Sequence, residues 1–138
     1  MPVYFFEEDI SFNLNKEESI QSWIENIIQT EKRVLGDLNF IFCSDQHLHE
    51  INLNYLKHDT YTDIITFDNS ENVEEISGDI FISVDRVEAN SRDMAIAFDE
   101  ELNRVMIHGV LHLIGYNDKT DEEKRQMREK EDACLSLR

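Results

Sequence analysis

The sequence predicts a single α+β domain, in which a small mixed β-sheet packs against helices. Three observations support this prediction. The chain has 138 residues, which is enough for one substantial core and too few for two ordinary domains. Its composition of 41% hydrophobic and 31% charged residues is typical of a globular protein. Strand-like and helix-like segments are interleaved early, whereas helices cluster late. We therefore expect residues 1–138 to form one domain.

The first half of the chain predicts the order β-α-β-α. Strand-like aromatic and β-branched runs are expected at residues 3–8 and 38–44, and helices at 15–34 and 45–56. The first helix has Trp23 and several isoleucines at helical spacing. Asn15 with Glu18 three residues later is expected to cap it.

The second half predicts two strands followed by helices. Strands are expected at residues 62–68 and 78–85, and the polar connection between them suits an antiparallel pair. Asp85 with Glu88 is expected to open a helix that carries Val87, Met94 and Phe98 on one side.

Two further helices are expected after it. The segment 100–115 is apolar over much of its circumference, so this helix should be buried. Thr120 and Glu123 form a capping-box pattern at the start of a last helix, whose apolar stripe through Met127 and Cys134 is weak. The last helix should therefore lie on the surface.

Charge and cysteine content limit the classes of function. A formal net charge of −17 disfavours nucleic-acid binding through a general basic surface, although a metal ion or a local basic cluster can reverse the sign within a cleft. No membrane span or signal peptide is predicted, which favours a cytoplasmic location. Cys43 and Cys134 are predicted to be reduced core thiols.

The segment HGVLHLIGYND, residues 108–118, has the spacing of a metal site. Residues four apart on a helix lie on one face, so His108 and His112 can direct their imidazoles at one point. Gly115 can end the helix in a left-handed conformation and let Asp118 supply a third ligand. Three ligands would leave an open position for water or substrate. The alternative is a pair of satisfied core histidines followed by an ordinary turn.

The same spacing overlaps the metal motif of the metzincin proteases, with one difference. Those proteases have a general-base glutamate directly after the first histidine, and this chain has Gly109 there. Peptide hydrolysis by their mechanism would lack its base, so a small metallopeptidase is the least favoured reading.

The segment also resembles the signature H-G-x-L-H-L-x-G-Y-D-H of the YbeY family. A second block, INLNYLKHDTYTDIITFD followed by GDIFIS, is similar to that family's L-N-x-x-Y-R-x-x-D-x-P-T-D-V-L-S-F and G-D-I-x-I-S. The resemblance implies a bacterial metal-dependent endoribonuclease involved in ribosomal RNA maturation. It also implies that the buried helix binds one divalent metal ion, with zinc favoured, and that RNA or a ribosomal particle is the partner.

The resemblance places the metal ligands on His108, His112 and Asp118. The third ligand is usually a histidine in the family. An aspartate can still bind zinc, but two histidines and one carboxylate also suit iron and manganese.

A second departure concerns the substrate. The family's arginine after the tyrosine corresponds to Leu56, and the adjacent Lys57 and His58 are expected to supply charge, with Lys57 as the substrate-binding candidate. Asp63 is the catalytic candidate, since it could orient a metal-bound water or a histidine ligand. A turn or capping aspartate is the equal alternative for that residue.

The sequence therefore favours a metal-dependent endoribonuclease. The main alternative is a metal-stabilised ribosome-assembly factor that binds RNA or a ribosome-associated protein without cutting. The acidity of the chain and Leu56 both favour that alternative.

Overall fold

The computed structural model describes residues 3–58 and 60–138. These residues form four strands and five helices in the following order: β1 (Val3–Glu7), α1 (Glu17–Thr30), β2 (Val34–Cys43), α2 (Asp45–Leu56), β3 (Ile64–Asp68), β4 (Glu75–Ser83), α3 (Val84–Asp93), α4 (Phe98–Ile114) and α5 (Asp121–Leu135). The predicted α+β class, with strands and helices interleaved early and helices late, is confirmed.

The strands form one mixed sheet with the order β1-β2-β4-β3. β1 pairs with β2 and β2 with β4 in parallel, whereas β3 and β4 are antiparallel. The antiparallel pairing of β3 and β4 was predicted from the polar segment that connects them. β2 and β4 begin several residues earlier than predicted, because Val34 pairs with Glu75 well before the apolar part of either strand.

Helices cover both faces of the sheet. Side chains alternate along a strand, so Ile80 and Ile82 of β4 face one side and Phe81 faces the other. On the first side lies the main core, where α1 and α4 pack on the strands through side chains such as Ile24, Ile28, Met106 and Val110. On the other side α2 packs through Leu48 and Ile51. The predicted burial of α4 is therefore observed, with Met106, Ile107, Val110 and Leu111 fully buried.

Two of the three capping pairs predicted from the sequence do not form. Lys16, in a left-handed conformation with φ of 57°, precedes α1, and no side chain caps that helix. Asn15 and Glu18 therefore do not form the expected pair. Ser83 rather than Asp85 caps α3, because its hydroxyl accepts from the Arg86 backbone N–H at 3.1 Å.

The third predicted capping pair is confirmed. Thr120 and Glu123 form a complete capping box at the start of α5.

The end of α3 differs from the prediction. This helix ends at Asp93, so Phe98 belongs to α4 and does not share a helix face with Val87.

Cys43 and Cys134 are both buried free thiols, as predicted. Across residues 3–58 and 60–138 no helix combines the length and the apolar character that crossing a membrane requires.

Candidate metal centre

The half-exposed edge of α4 brings two histidines together. His108 and His112 lie one turn apart, and their Nε2 atoms are 2.9 Å from each other. The residues around them on the helix, including Ile107 and Leu111, are buried in the core. Between Val105 and Ile114, the packing of α4 therefore leaves only His108 and His112 partly exposed.

The turn after α4 brings a carboxylate to the same point. Gly115 ends the helix with φ of 123°, a conformation that L side chains rarely adopt, and the chain then reverses. Asp118 Oδ2 lies 3.2 Å from His108 Nε2 and 3.3 Å from His112 Nε2. The three residues singled out in the sequence thus form a cluster whose ligand atoms all lie within 4.8 Å of one another.

Hydrogen bonds at the far side of each ring determine which nitrogen faces the cluster with a lone pair. His108 Nδ1 lies 2.6 Å from Glu131 Oε2, and His112 Nδ1 lies 3.0 Å from the backbone oxygen of Tyr116. Both partners accept a hydrogen bond, so in the tautomer that satisfies them each Nδ1 carries a proton and each Nε2 faces the cluster with a lone pair. Two imidazole nitrogens and a carboxylate oxygen then converge on one point. This donor set fits a divalent metal ion.

Glu131 of α5 is the partner that holds His108. It is buried, and its second oxygen accepts from Arg104 Nη1 at 3.0 Å. Burial acts to raise the pKa of Glu131, but the hydrogen bonds from His108 and Arg104 outweigh it and lower the pKa. Burial acts to lower the pKa of His108, and the bond to Glu131 outweighs it in the opposite direction. Glu131 is therefore a buried anion whose negative charge points at the centre.

Tyr116 connects the turn to two other helices. Its hydroxyl donates to Glu31 Oε1 at 2.8 Å, and Lys130 Nζ donates to Glu31 Oε2 at 2.8 Å. The end of α1 and the middle of α5 thereby hold the residue whose backbone oxygen orients His112.

Gly109 is where α4 lies closest to the sheet. A Cβ atom there would come within 2.8 Å of Ile64 Cδ1 and 3.0 Å of Ile80 Cγ2. The position occupied by the general-base glutamate of metzincins therefore faces a packed apolar surface with no room for a larger side chain. The centre has no glutamate equivalent from this position.

Asp63 lies beside the centre, directly before β3. It is half-buried, and Asn90 Nδ2 donates to its Oδ2 at 3.4 Å. Burial raises the pKa of Asp63, opposed by the charge of His108. A carboxyl group with a raised pKa is better matched to proton transfer near neutral pH than an ordinary surface aspartate.

The centre lies where two clefts meet. Asp63, Ile64, His108 and Asp118 line both clefts, which have volumes of about 450 Å³ and about 400 Å³. The larger one, the α4–α5 cleft, runs along α4 towards Glu101. The smaller one, the α2–β3 cleft, is lined by Leu56, His58 and the threonines around Asp63. Lys57 is exposed at the end of α2 and does not line this cleft.

The charge of the α4–α5 cleft depends on the ion. Four carboxylates line it, from Asp63, Glu101, Asp118 and Glu131, together with three cations, from Arg104, Lys124 and Arg128. One divalent ion would change the net charge of this set from negative to positive. A bound ion would therefore give this cleft a positive net charge, which a protein of such acidic composition needs in order to bind a polyanion.

Sequence reasoning did not assign roles to Glu131 and Tyr116. Both lie in segments that resemble the family pattern, but their contacts with the histidines form only in the folded chain. The acceptor of His112 is a backbone atom, which no residue type could have indicated.

Comparisons with known proteins agree on one family. The profile of the family described as Endoribonuclease YbeY matches residues 5–137. A protein named Endoribonuclease YbeY from Cytophaga hutchinsonii is 52% identical over 136 residues, which cover 99% of this chain and 95% of the relative. A protein of the same name from Amoebophilus asiaticus is 54% identical over 129 residues, covering 94% and 88%. A solution structure of a Thermotoga maritima protein has a TM-score of 0.70 at 28% identity, covering 98% of this chain and 87% of that one.

Proposed function

The chain belongs to the YbeY family of endoribonucleases, and on this premise we propose that it hydrolyses RNA phosphodiester bonds at the centre formed by His108, His112 and Asp118. We further propose that zinc is the ion, that ribosomal RNA in the cytoplasm is the substrate, and that the chain meets it in a ribosomal particle.

One observation supports this proposal most strongly. Three possible ligand atoms, from two histidines and one aspartate, converge at the junction of two clefts. An endonuclease must accommodate a strand that continues on both sides of the bond it cuts. A centre at the end of a single pocket would suit an exonuclease or a small-molecule hydrolase better.

A divalent ion held by these three residues would polarise a phosphate oxygen and lower the pKa of water bound to it. The protein's own contribution is to fix the direction of the donors. Glu131 and the Tyr116 carbonyl hold the two rings, and Gly115 sets the turn that returns Asp118.

Asp63 is our candidate for proton transfer. Asp63 lines both clefts together with His108, and burial raises its pKa towards the range in which a carboxyl group transfers protons effectively. Replacing it by asparagine preserves the shape and removes the exchangeable proton. We expect Asp63→Asn to lower kcat by about 10²- to 10⁴-fold while the bound metal stays stoichiometric. Full activity of this variant would leave Asp63 with only a structural role.

Lys57 and His58 are our candidates for contact with substrate phosphates. His58 lines the α2–β3 cleft where the family's arginine is replaced by Leu56, and Lys57 is the adjacent exposed cation. A lysine offers a point charge and not a bidentate fork, so we expect Lys57→Ala to raise KM by only a few-fold. A fall in kcat without a change in KM would contradict this assignment.

The decisive experiment measures RNA cleavage and metal content in the same preparations. Wild type should cleave a precursor ribosomal RNA and carry one transition metal per chain, and His112→Ala should lose both. His47→Ala is a matched control, because His47 pairs with Glu8 and lines neither cleft. Metal binding without cleavage by wild type would favour the assembly factor. Cleavage of peptides but not RNA would favour a peptidase.

A further inference from the structure

The α4–α5 cleft contains a polar group that the metal centre does not use. Glu101 lies seven residues before His108 on the same face of α4, so its backbone is about 10 Å further along the helix axis. Its side chain lines the cleft that ends at the centre. This separation is similar to the distance from the phosphate of a nucleotide to the far edge of its base.

Glu101 is buried without a partner. It is only 5% exposed, and its Oε1 has no hydrogen-bond partner within the described ranges 3–58 and 60–138. An unpaired buried oxygen lowers the stability of the fold. Among buried side-chain oxygens and nitrogens of the described residues it is the one left in this state. Such a group is what a site built to receive a hydrogen-bond donor presents before its ligand arrives.

Part of the lining of the cleft is apolar. Val105 and Met127 are buried residues that line it, and Met94, which is 44% exposed, lines it as well. Flexible methionines and a β-branched side chain provide polarisable surface against which the faces of a base can pack.

Three cations line the same cleft. Arg104, Lys124 and Arg128 line it, and the latter two are exposed at the surface of α5. Arg104 is paired with Glu131 and Asp132, and Arg128 Nη1 lies 3.9 Å from Glu131 Oε1, so the exposed Lys124 has the most freedom to approach phosphates. A cleft that combines apolar side chains, a buried acceptor and exposed cations matches the chemistry of a nucleotide.

We propose that the α4–α5 cleft binds the base of a nucleotide adjacent to the bond that is cut, and that Glu101 accepts a hydrogen bond from the exocyclic amino group of that base. The proposal rests on the proposed cleavage of RNA and adds a preference to it. Adenine, cytosine and guanine have such an amino group, and uracil does not. Glu101 accepts this bond whether or not its carboxyl group is protonated, because one oxygen keeps free lone pairs in either form.

The first test is cleavage of a pool of single-stranded RNA with randomised sequence, followed by sequencing of the cut ends. For wild type we expect uracil to be depleted about tenfold at one position next to the cut, the ratio that a hydrogen bond to a charged group would give. Glu101→Ala should remove this depletion. Glu101→Gln keeps a carbonyl acceptor and should retain part of it. Glu100→Gln is the matched control, since the neighbouring Glu100 is exposed and paired with Arg138.

The second test measures binding without cleavage. In an Asp63→Asn background, which is expected to keep its metal and cleave slowly, fluorescence anisotropy should show tighter binding of oligoadenylate or oligocytidylate than of oligouridylate, and adding Glu101→Ala should abolish this difference in affinity. Removal of an unpartnered buried carboxylate should not destabilise the fold, so thermal denaturation should show Glu101→Ala at least as stable as wild type.

The two tests separate the proposals. Cleavage with no base preference, and equal binding of the homopolymers, would overturn the base site and leave the nuclease intact. Absence of cleavage with a binding ratio that depends on Glu101 would overturn the nuclease and support the base site. A second metal ion per chain that is lost in Glu101→Gln would overturn the base site by assigning Glu101 to a cation.

Discussion

Replacing Glu131 by glutamine tests how much the centre depends on a residue that would not touch the ion. The amide oxygen of Glu131→Gln can still accept from His108 Nδ1, so the ring should keep its orientation and tautomer. The buried negative charge, whose oxygen lies 2.6 Å from that nitrogen, is lost. Loss of such a partner typically weakens metal affinity by about 10- to 100-fold, which corresponds to about 1.4 to 2.8 kcal/mol.

The assay is competition for zinc against a fluorescent chelator, with the free energy of unfolding measured on the metal-free proteins. Asp132→Asn is the matched control, because Asp132 accepts from Arg104 Nη2 at 2.7 Å and is not among the partners found for His108. It should leave the zinc Kd within about twofold of wild type, since it alters only a half-exposed ion pair. If Glu131→Gln bound zinc as tightly as wild type, the argument that the buried charge of Glu131 strengthens metal binding through His108 would be refuted.

Three further outcomes follow from the structure. Gly115→Ala should cost about 1 to 3 kcal/mol in urea unfolding and weaken metal binding, because alanine is strained at φ of 123° and the turn carries Asp118; unchanged values would mean that the turn is not constrained. Free zinc at a hundredfold excess over its Kd should stabilise the native protein by about 2.7 kcal/mol, with a Tm that falls on chelation; a Tm insensitive to chelator would contradict a built site. Burial raises the pKa of the Cys43 thiol to about 12 and also raises that of Cys134. Neither thiol should therefore react with a thiol reagent at pH 8 until urea is added, and stability should fall as pH rises above about 9, where the unfolded chain loses protons that the native thiols keep.

Periodicity in the sequence was sufficient to locate the elements that carry the centre. The apolar circumference of residues 100–115 predicted the buried helix, and the spacing of His108 and His112 placed both on one face of it. Thr120 and Glu123 could be predicted as a capping box because that motif depends only on residues within one segment of four.

Features that depend on backbone conformation or on contacts between distant residues could not be predicted from the sequence. Asn15 matched the same local pattern, but Lys16 adopts a left-handed conformation and displaces it from the helix start. Glu131 lies 23 residues from His108 in sequence, and the two meet only because α5 packs against α4. The space around Gly109 likewise depends on the crossing of α4 over β3 and β4, so the sequence showed that a glutamate is absent without showing why.

The central claim is that His108, His112 and Asp118 hold one divalent metal ion. Anomalous diffraction at the absorption edge of the ion that copurifies with the protein tests it most directly. We expect one peak per chain, with His108 Nε2, His112 Nε2 and a carboxylate oxygen of Asp118 at about 2.0 to 2.2 Å if the ion is zinc. A peak elsewhere, coordination through either Nδ1, or crystals of active protein with no anomalous peak at this cluster would contradict the account.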